Sequence, residues 1–205
     1  MHHERAAAFC EAALPVRRPH KDPVIRPVPF VLLAAVVLGG SDYSFLNGRL
    51  QFSAPKDWRE VRRASNDSVD FVAFVLPRPQ GDPNAPAGNV MIDVSLSGRH
   101  WDLRRYSDMK LSQVAAGPGS PVIVDDKTWN DEQSRTVLWT SRLRDTPYAL
   151  WDKLAVRDSI YLDVRTAIPV AYANDSVWEA AYENQRQAML SSFRIRGALV
   201  FRTTR

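Results

Sequence analysis

Apolar and polar positions alternate along several stretches of this chain and recur at helical spacing in two others. Leu50, Phe52 and Ala54 alternate with Gln51 and Ser53, the period-two pattern of a half-buried strand. Pro55 ends that strand, because proline has no N–H for a ladder, and Trp58 is expected to fold back onto the sheet as an aromatic anchor. Asp70 to Leu76 is apolar on both faces after its first residue, as a central strand would be. The polar, proline-rich stretch 77–88 reads as a loop, and Val90, Ile92, Val94 and Leu96 then alternate with Met91, Asp93 and Ser95. Val122 to Asp125 reads as a short strand and Asn130-Asp131 as a hairpin tip. Three longer strands follow at about 134–143, 148–157 and 159–168, with Asp145-Thr146-Pro147 and Arg157-Asp158 at the turns between them.

Two segments carry the helical period. In Asp102 to Ala115, Leu103, Tyr106, Met109 or Lys110, and Val114 fall near one stripe, and Gly117-Pro118-Gly119 stops the run. A last helix opens at Asn174 or Asp175, either a good N-cap, with Val177, Trp178, Ala181, Tyr182 and Ala188 as its apolar stripe. It closes at Met189-Leu190-Ser191-Ser192-Phe193, and residues 197–205 read as a tail. Hairpin-length connections make the strands antiparallel. The order of strands, helix, meander and helix predicts an α+β fold over 42–196: one domain with an antiparallel β-sheet packed with helices.

The three-strand meander divides into two expected faces. Val137, Trp139, Leu143, Tyr148, Leu150, Leu154, Val156, Ile160, Leu162, Val164 and Ile168 form the expected core face. The other collects Leu138, Thr140, Arg142, Trp151, Lys153, Arg157, Tyr161, Asp163 and Arg165, a mixture of cations and aromatics. Arg, Trp and Tyr are the types favoured at binding hot spots. Arg142, Trp151, Lys153, Tyr161 and Arg165 are therefore the candidate partner-binding residues. The bland alternative is cross-strand charge pairing, or a helix packed over this face with the cations reaching its rim.

Composition narrows the classes of function. The 205 residues are 45% hydrophobic and 24% charged, enough for one domain with a real core. The formal charge of +4 is not a basic footprint: residues 42–205 hold 22 Lys/Arg against 20 Asp/Glu, and no run of Lys/Arg exceeds two. Nucleic-acid binding is not expected. Cys10 is the single cysteine and precedes the domain, so the domain has neither thiol chemistry nor cysteine metal ligands.

Residues 1–41 have the order of a secretory leader. Arg17, Arg18, Lys21 and Arg26 precede the uncharged run Val28 to Gly40, and small residues follow. The run is shorter than the roughly 20 residues of a spanning helix. A buried core segment is the alternative, opposed by the composition break at Gly39-Gly40-Ser41. Leu38-Gly39-Gly40-Ser41 resembles a lipoprotein cleavage box with serine in place of the lipidated cysteine, which supports export without acylation. The leader's long amino-terminal part would be explained by a start at Val24 or Val28.

Catalytic patterns are weak. His100, the one histidine of the domain, sits between a strand and a helix and reads as a surface or capping residue; no Gly-x-Ser-x-Gly elbow accompanies it. Asp125-Asp126 and Asn130-Asp131-Glu132 lack the spacing and glycine of a calcium loop and read as a solvated turn. Gly117-Pro118-Gly119 is no phosphate cradle, since Pro118 has no backbone donor. No catalytic, metal or cofactor-binding residue is assigned, and no cofactor is expected.

The strand ahead of Pro55-x-x-Trp58, the strands Phe71 to Leu76 and Val90 to Leu96, the helix, the meander and the terminal helix ending in Ser-Phe together resemble PsbP-like α/β/α sandwich domains. That group includes the photosystem II extrinsic protein, a Ran-binding nuclear factor and bacterial DcrB-like exported proteins. The resemblance spans about residues 45–195 and implies interaction or assembly more than catalysis; it carries over no functional residue. The expectation is an exported, non-enzymatic binding or assembly protein of the periplasm or cell envelope. Its partner would be a protein or envelope component, with membrane contact only through the leader. Two rivals stay open: a cytosolic chaperone for a secreted effector, and a metal-dependent or hydrolytic enzyme with a polar pocket around His100.

Overall fold

Short turns decide the topology. Arg144 and Asp145 both adopt positive φ (48° and 67°), the geometry of a two-residue turn whose twist suits an antiparallel hairpin. It joins β7 (Glu132–Leu143) to β8 (Thr146–Arg157). Thr146 and Pro147, expected in the turn, already pair with Leu143 and Arg142. Asp158, at φ 53°, turns the chain again into β9 (Ile160–Pro169). The structure, a computed structural model, describes residues 40–79, 84–98, 100–117, 120–129 and 132–195, with the backbone only for 124–128. The leader up to residue 39, the Asn130-Asp131 tip and the tail 197–205 lie outside the described residues.

Among the described residues, ten strands form two antiparallel sheets. The larger holds β3 (Arg59–Ser65), β4 (Val69–Val75), β5 (Asn89–Leu96) and β6 (Val122–Trp129) in the order β3-β4-β5-β9-β8-β7-β6. The smaller holds β1 (Ser41–Phe45), β2 (Leu50–Ala54) and β10 (Arg194–Ile195), with β2 central. β1 begins at Ser41, the last residue of the expected leader. β1, β3 and β10 are strands that the alternation pattern did not single out.

Helices cover both faces of the large sheet. α1 (Leu103–Ala115) packs Leu103 and Tyr106 against Val137, Leu154 and Tyr161. Asp102 caps it, accepting from the Arg105 N–H at 2.8 Å. α2 (Ser176–Ser192) and the small sheet lie on the opposite face. Asp175 is its N-cap rather than Asn174, and accepts from the Trp178 N–H at 2.9 Å. The architecture is the expected α+β sandwich in a single domain.

Of the expected stripe, α2 turns the Trp178–Tyr182 pair inward and leaves the aliphatic members outside. Tyr182, Met189 and Leu190 are buried, whereas Val177 is 79% exposed and Ala181 and Ala188 face solvent. Large rings decide the orientation: Trp178 and Tyr182 stack at 5.1 Å, and burying them removes more apolar area than burying alanines.

The main core is rich in aromatics. Tyr43 stacks on Phe52 at 4.9 Å and Phe52 on Phe193 at 4.8 Å, so β1, β2 and the exit from α2 share one column of rings. Trp58 is buried, as expected from its position after Pro55, and its Nε1–H donates to Gln185 Oε1 at 2.7 Å. Gly88 allows the returning chain to pass the core closely: a Cβ there would stand 3.2 Å from Leu76 Cδ1 and 3.3 Å from Ile168 Cδ1.

Candidate partner-binding surface

Strand register sets which side chains share a face. Leu138 pairs with Trp151, and Trp151 with Thr166, so all three point toward α2. Val137, Asp152 and Arg165 pair in turn and point toward α1. Of the five expected binding residues, Arg142, Trp151 and Lys153 lie on the α2 face, and Tyr161 and Arg165 lie on the α1 face. The single shared face is thus corrected. β9 is buried at almost every position, so its alternation carries no phase, and the sequence pattern set it one residue out of step with β8.

On the α1 face, Tyr161 is a core residue. Its hydroxyl accepts from the Trp101 N–H at 2.8 Å and its ring meets Tyr106 edge-on at 5.2 Å. Arg165 forks onto Asp152, with Nε and Nη2 at 2.6 and 2.9 Å from the two carboxylate oxygens, and its guanidinium lies 5.3 Å from the Trp139 ring centre. Lys110 of α1 reaches Asp163 Oδ2 at 2.6 Å. Burial raises the Asp163 pKa to about 6, and the neighbouring Asp152 adds to the rise; Lys110 and Arg165 pull the other way and only in part. Arg165 spends its fork on Asp152 and stands 3.9 Å from Asp163, which leaves Asp163 under-compensated and its Oδ1 buried without a hydrogen bond. Beside this network a pocket of about 210 Å³ opens between Ser95, Ser97, Trp101, Tyr106, Met109 and Tyr161.

The α2 face holds a different surface. Val122 of β6 pairs with Leu138 of β7, which pairs with Trp151 of β8, so three apolar side chains form a row across three strands. Val122 is 58% and Leu138 40% exposed. Trp151 is half-buried where α2 begins to cover the sheet: its ring meets Tyr182 at 6.3 Å and the Arg186 guanidinium at 5.6 Å. Arg186 is held in place by a fork onto Glu183 at 2.8 and 2.7 Å. Lys153 lies one pair further along, its Nζ 3.4 Å from Thr136 Oγ1, and exposed Arg142 lies toward the hairpin turn. An apolar centre with a cationic rim is the anatomy of a protein-binding patch. Leu138, Arg142, Trp151 and Lys153 were legible as one mixed face; Val122 was legible only as a strand residue, because its place beside Leu138 depends on the β6–β7 register.

His100 is exposed and stands two residues before the Asp102 cap. Among the described residues no group of three or more His, Cys, Asp or Glu could hold a metal ion, and no helix is long and apolar enough to cross a membrane.

No family model and no curated protein matches the chain. Solved structures do match. LpqN of Mycobacterium tuberculosis, involved in cell envelope biogenesis, is 14% identical over 78% of this chain and 86% of its own, with a TM-score of 0.52. The Ran-binding protein Mog1p of Saccharomyces cerevisiae is 11% identical over 77% of this chain and 96% of its own, with a TM-score of 0.50. Cyanobacterial PsbP of Synechocystis is 14% identical over 82% of this chain and all of its own, with a TM-score of 0.48. The chain spans 49% of the length of a Bacteroides thetaiotaomicron protein that it also matches, at 12% identity and a TM-score of 0.49. Identities this low speak for fold and not for activity. The chain shares its α/β/α sandwich fold with LpqN and Mog1p.

Proposed function

We propose that this chain is an exported, non-enzymatic binding or assembly domain of the cell envelope, and that it takes a protein partner on the Val122–Leu138–Trp151 row. The exposed apolar row carries this reading. Two large aliphatic side chains at the rim of a sheet, backed by a tryptophan that α2 leaves half uncovered, form one continuous patch rather than scattered apolar surface. Arg142 and Lys153 supply charge at its margin. Tyr161 and Arg165 serve in this reading as supports of α1 on the far face.

Export is supported by the leader pattern of residues 1–41, and a place in the envelope by the fold shared with LpqN, a protein of cell envelope biogenesis. A protein partner is supported by Mog1p, a Ran-binding protein of the same fold. The decisive variant is Leu138→Asp. Leu138 is exposed, so the change should move stability by only about 0.5 kcal/mol, whereas loss of a contact at the centre of a patch can remove 2 kcal/mol or more of binding. Crosslinking in the native envelope, with circular dichroism as the check on folding, should show capture by the natural chain and none by the variant. Undiminished capture by a folded Leu138→Asp chain would rule out the row, and a natural chain confined to the cytosol would rule out export.

A further inference from the structure

The large sheet ends at β3, which among the described residues pairs on one side only. All seven of its residues are exposed. A free edge of this length is a template for another strand unless something blocks it. A bulge between Glu60 and Arg62 bends the first half. The second half is regular, from Arg62 opposite Ala73 to Ser65 opposite Asp70.

The hydrogen-bond phase of that half follows from its turn. The Asn66 N–H donates to the Val69 C=O at 2.9 Å. Antiparallel pairs alternate between bonded and non-bonded. Ala64 and Arg62 therefore turn their main-chain groups toward β4, and Arg63 and Ser65 turn theirs outward. Two N–H donors and two C=O acceptors face away from the sheet at the spacing a partner strand requires.

The side chains beside them are cationic on both faces. Arg62 points to the α1 face with its guanidinium 5.7 Å from the Phe71 ring centre. Arg63 points to the other face, 5.2 Å from Tyr43 and 5.8 Å from Phe45. Rings beneath the guanidiniums hold one positive charge on each side of the edge. Glu60 is engaged, its Oε2 accepting from the Tyr43 hydroxyl at 2.9 Å. Asp67 lies beyond Ser65 at the hairpin tip and repels carboxylates from that end.

We propose that the edge of β3 at Arg62–Ser65 receives an extended peptide segment with adjacent acidic residues, which adds to the sheet as one further strand. Neighbouring residues of a strand point to opposite faces, so two consecutive carboxylates meet Arg62 and Arg63 at once. The edge is at the opposite end of the sheet from the β6 row, and the inference does not rest on the reading of that row.

The probe is a capped, fluorescein-labelled peptide, Thr-Val-Glu-Glu-Val-Thr, titrated against the full chain at low salt with anisotropy as readout. The acidic peptide should bind, its Lys-Lys counterpart should not, and added salt should weaken binding, since the charges are exposed. The double variant Arg62→Glu/Arg63→Glu should lose about tenfold or more in affinity and gain affinity for the Lys-Lys peptide. Hydrogen exchange gives a signature that loose electrostatic attraction does not: the Arg63 and Ser65 amides should become protected on binding, and the inward-bonded Arg62 and Ala64 amides should not change. Leu138→Asp should bind the peptide normally, which separates this test from that of the row. No binding, or binding without new protection at Arg63 and Ser65, overturns the proposal and leaves the arginines as guards of the edge. Binding to phosphatidylglycerol vesicles with none to the peptide overturns it in favour of a lipid surface.

Discussion

Asp163 shows how one carboxyl can couple this fold to pH. Its folded pKa of about 6 lies above the roughly 3.9 of an unfolded aspartate. A group shifted upward binds its proton more tightly in the folded chain, so its contribution to stability is complete below the unfolded value and is lost as pH rises through 6. Acidification from neutrality toward about pH 5 should therefore favour the folded state at this site. Asp163→Asn removes the titration. Its melting temperature relative to the natural chain should be higher at about pH 7.5 than at about pH 5. An equal difference at both values would show that Lys110 and Arg165 fully compensate the charge. Lys110 pairs with Asp163 at 2.6 Å, but two carboxylates share these cations and Arg165 is committed to Asp152, so burial outweighs the pairing and the carboxyl titrates above its ordinary range.

At the scale of elements, helix caps and strand phases behave differently. Asp175 accepts the Trp178 N–H and fixes where α2 starts, and with it the placement of the stacked Trp178 and Tyr182 rings. Asp175→Ala should cost about 1 kcal/mol in a denaturant melt, the usual value of a lost cap. A change near zero would mean that ring packing alone sets the start. Such local signals were readable: Pro55 after β2 and the alternation of β5 placed their strands in advance, and the helical period from Asp102 placed α1 to within one residue. β9 was readable as a strand but not in its phase: its polar residues Asp163 and Arg165 turn inward toward α1 rather than to solvent, and that placed Tyr161 and Arg165 on the wrong side. β3 was invisible for the opposite reason. All its residues are exposed, so Arg59-Glu60-Val61-Arg62-Arg63 shows no apolar alternation, and it is a strand because β4 offers it a ladder.

At the scale of the molecule, the α1 and α2 faces divide the labour. α1 is fastened by ionic and aromatic contacts through Lys110, Asp163, Tyr106 and Tyr161. α2 sits on an apolar core, half covers Trp151 and leaves Leu138 and Val122 exposed beyond its margin. The mixed face that the sequence suggested therefore survives on β7 and β8, where hairpin register and alternation agree. It fails on β9.

The small sheet joins parts of the chain that are made far apart in time. Leu50 of β2 pairs with Ile195 of β10, the Ser53 N–H donates to Ser192 Oγ at 2.9 Å, and Phe52 stacks on Phe193. Contacts of such long sequence separation form late, because a long loop must close first. During synthesis β1 and β2 emerge early and find no column of rings to complete until α2 has left the ribosome. A chain stopped before Ser176 should stay sensitive to protease over its whole length, and the complete chain should resist. A protected fragment spanning β1 to β9 would contradict this order. On the export reading, the late closure acts as a clock: the polypeptide stays threadable through a translocation channel until its last helix is made, and the fold locks on the far side.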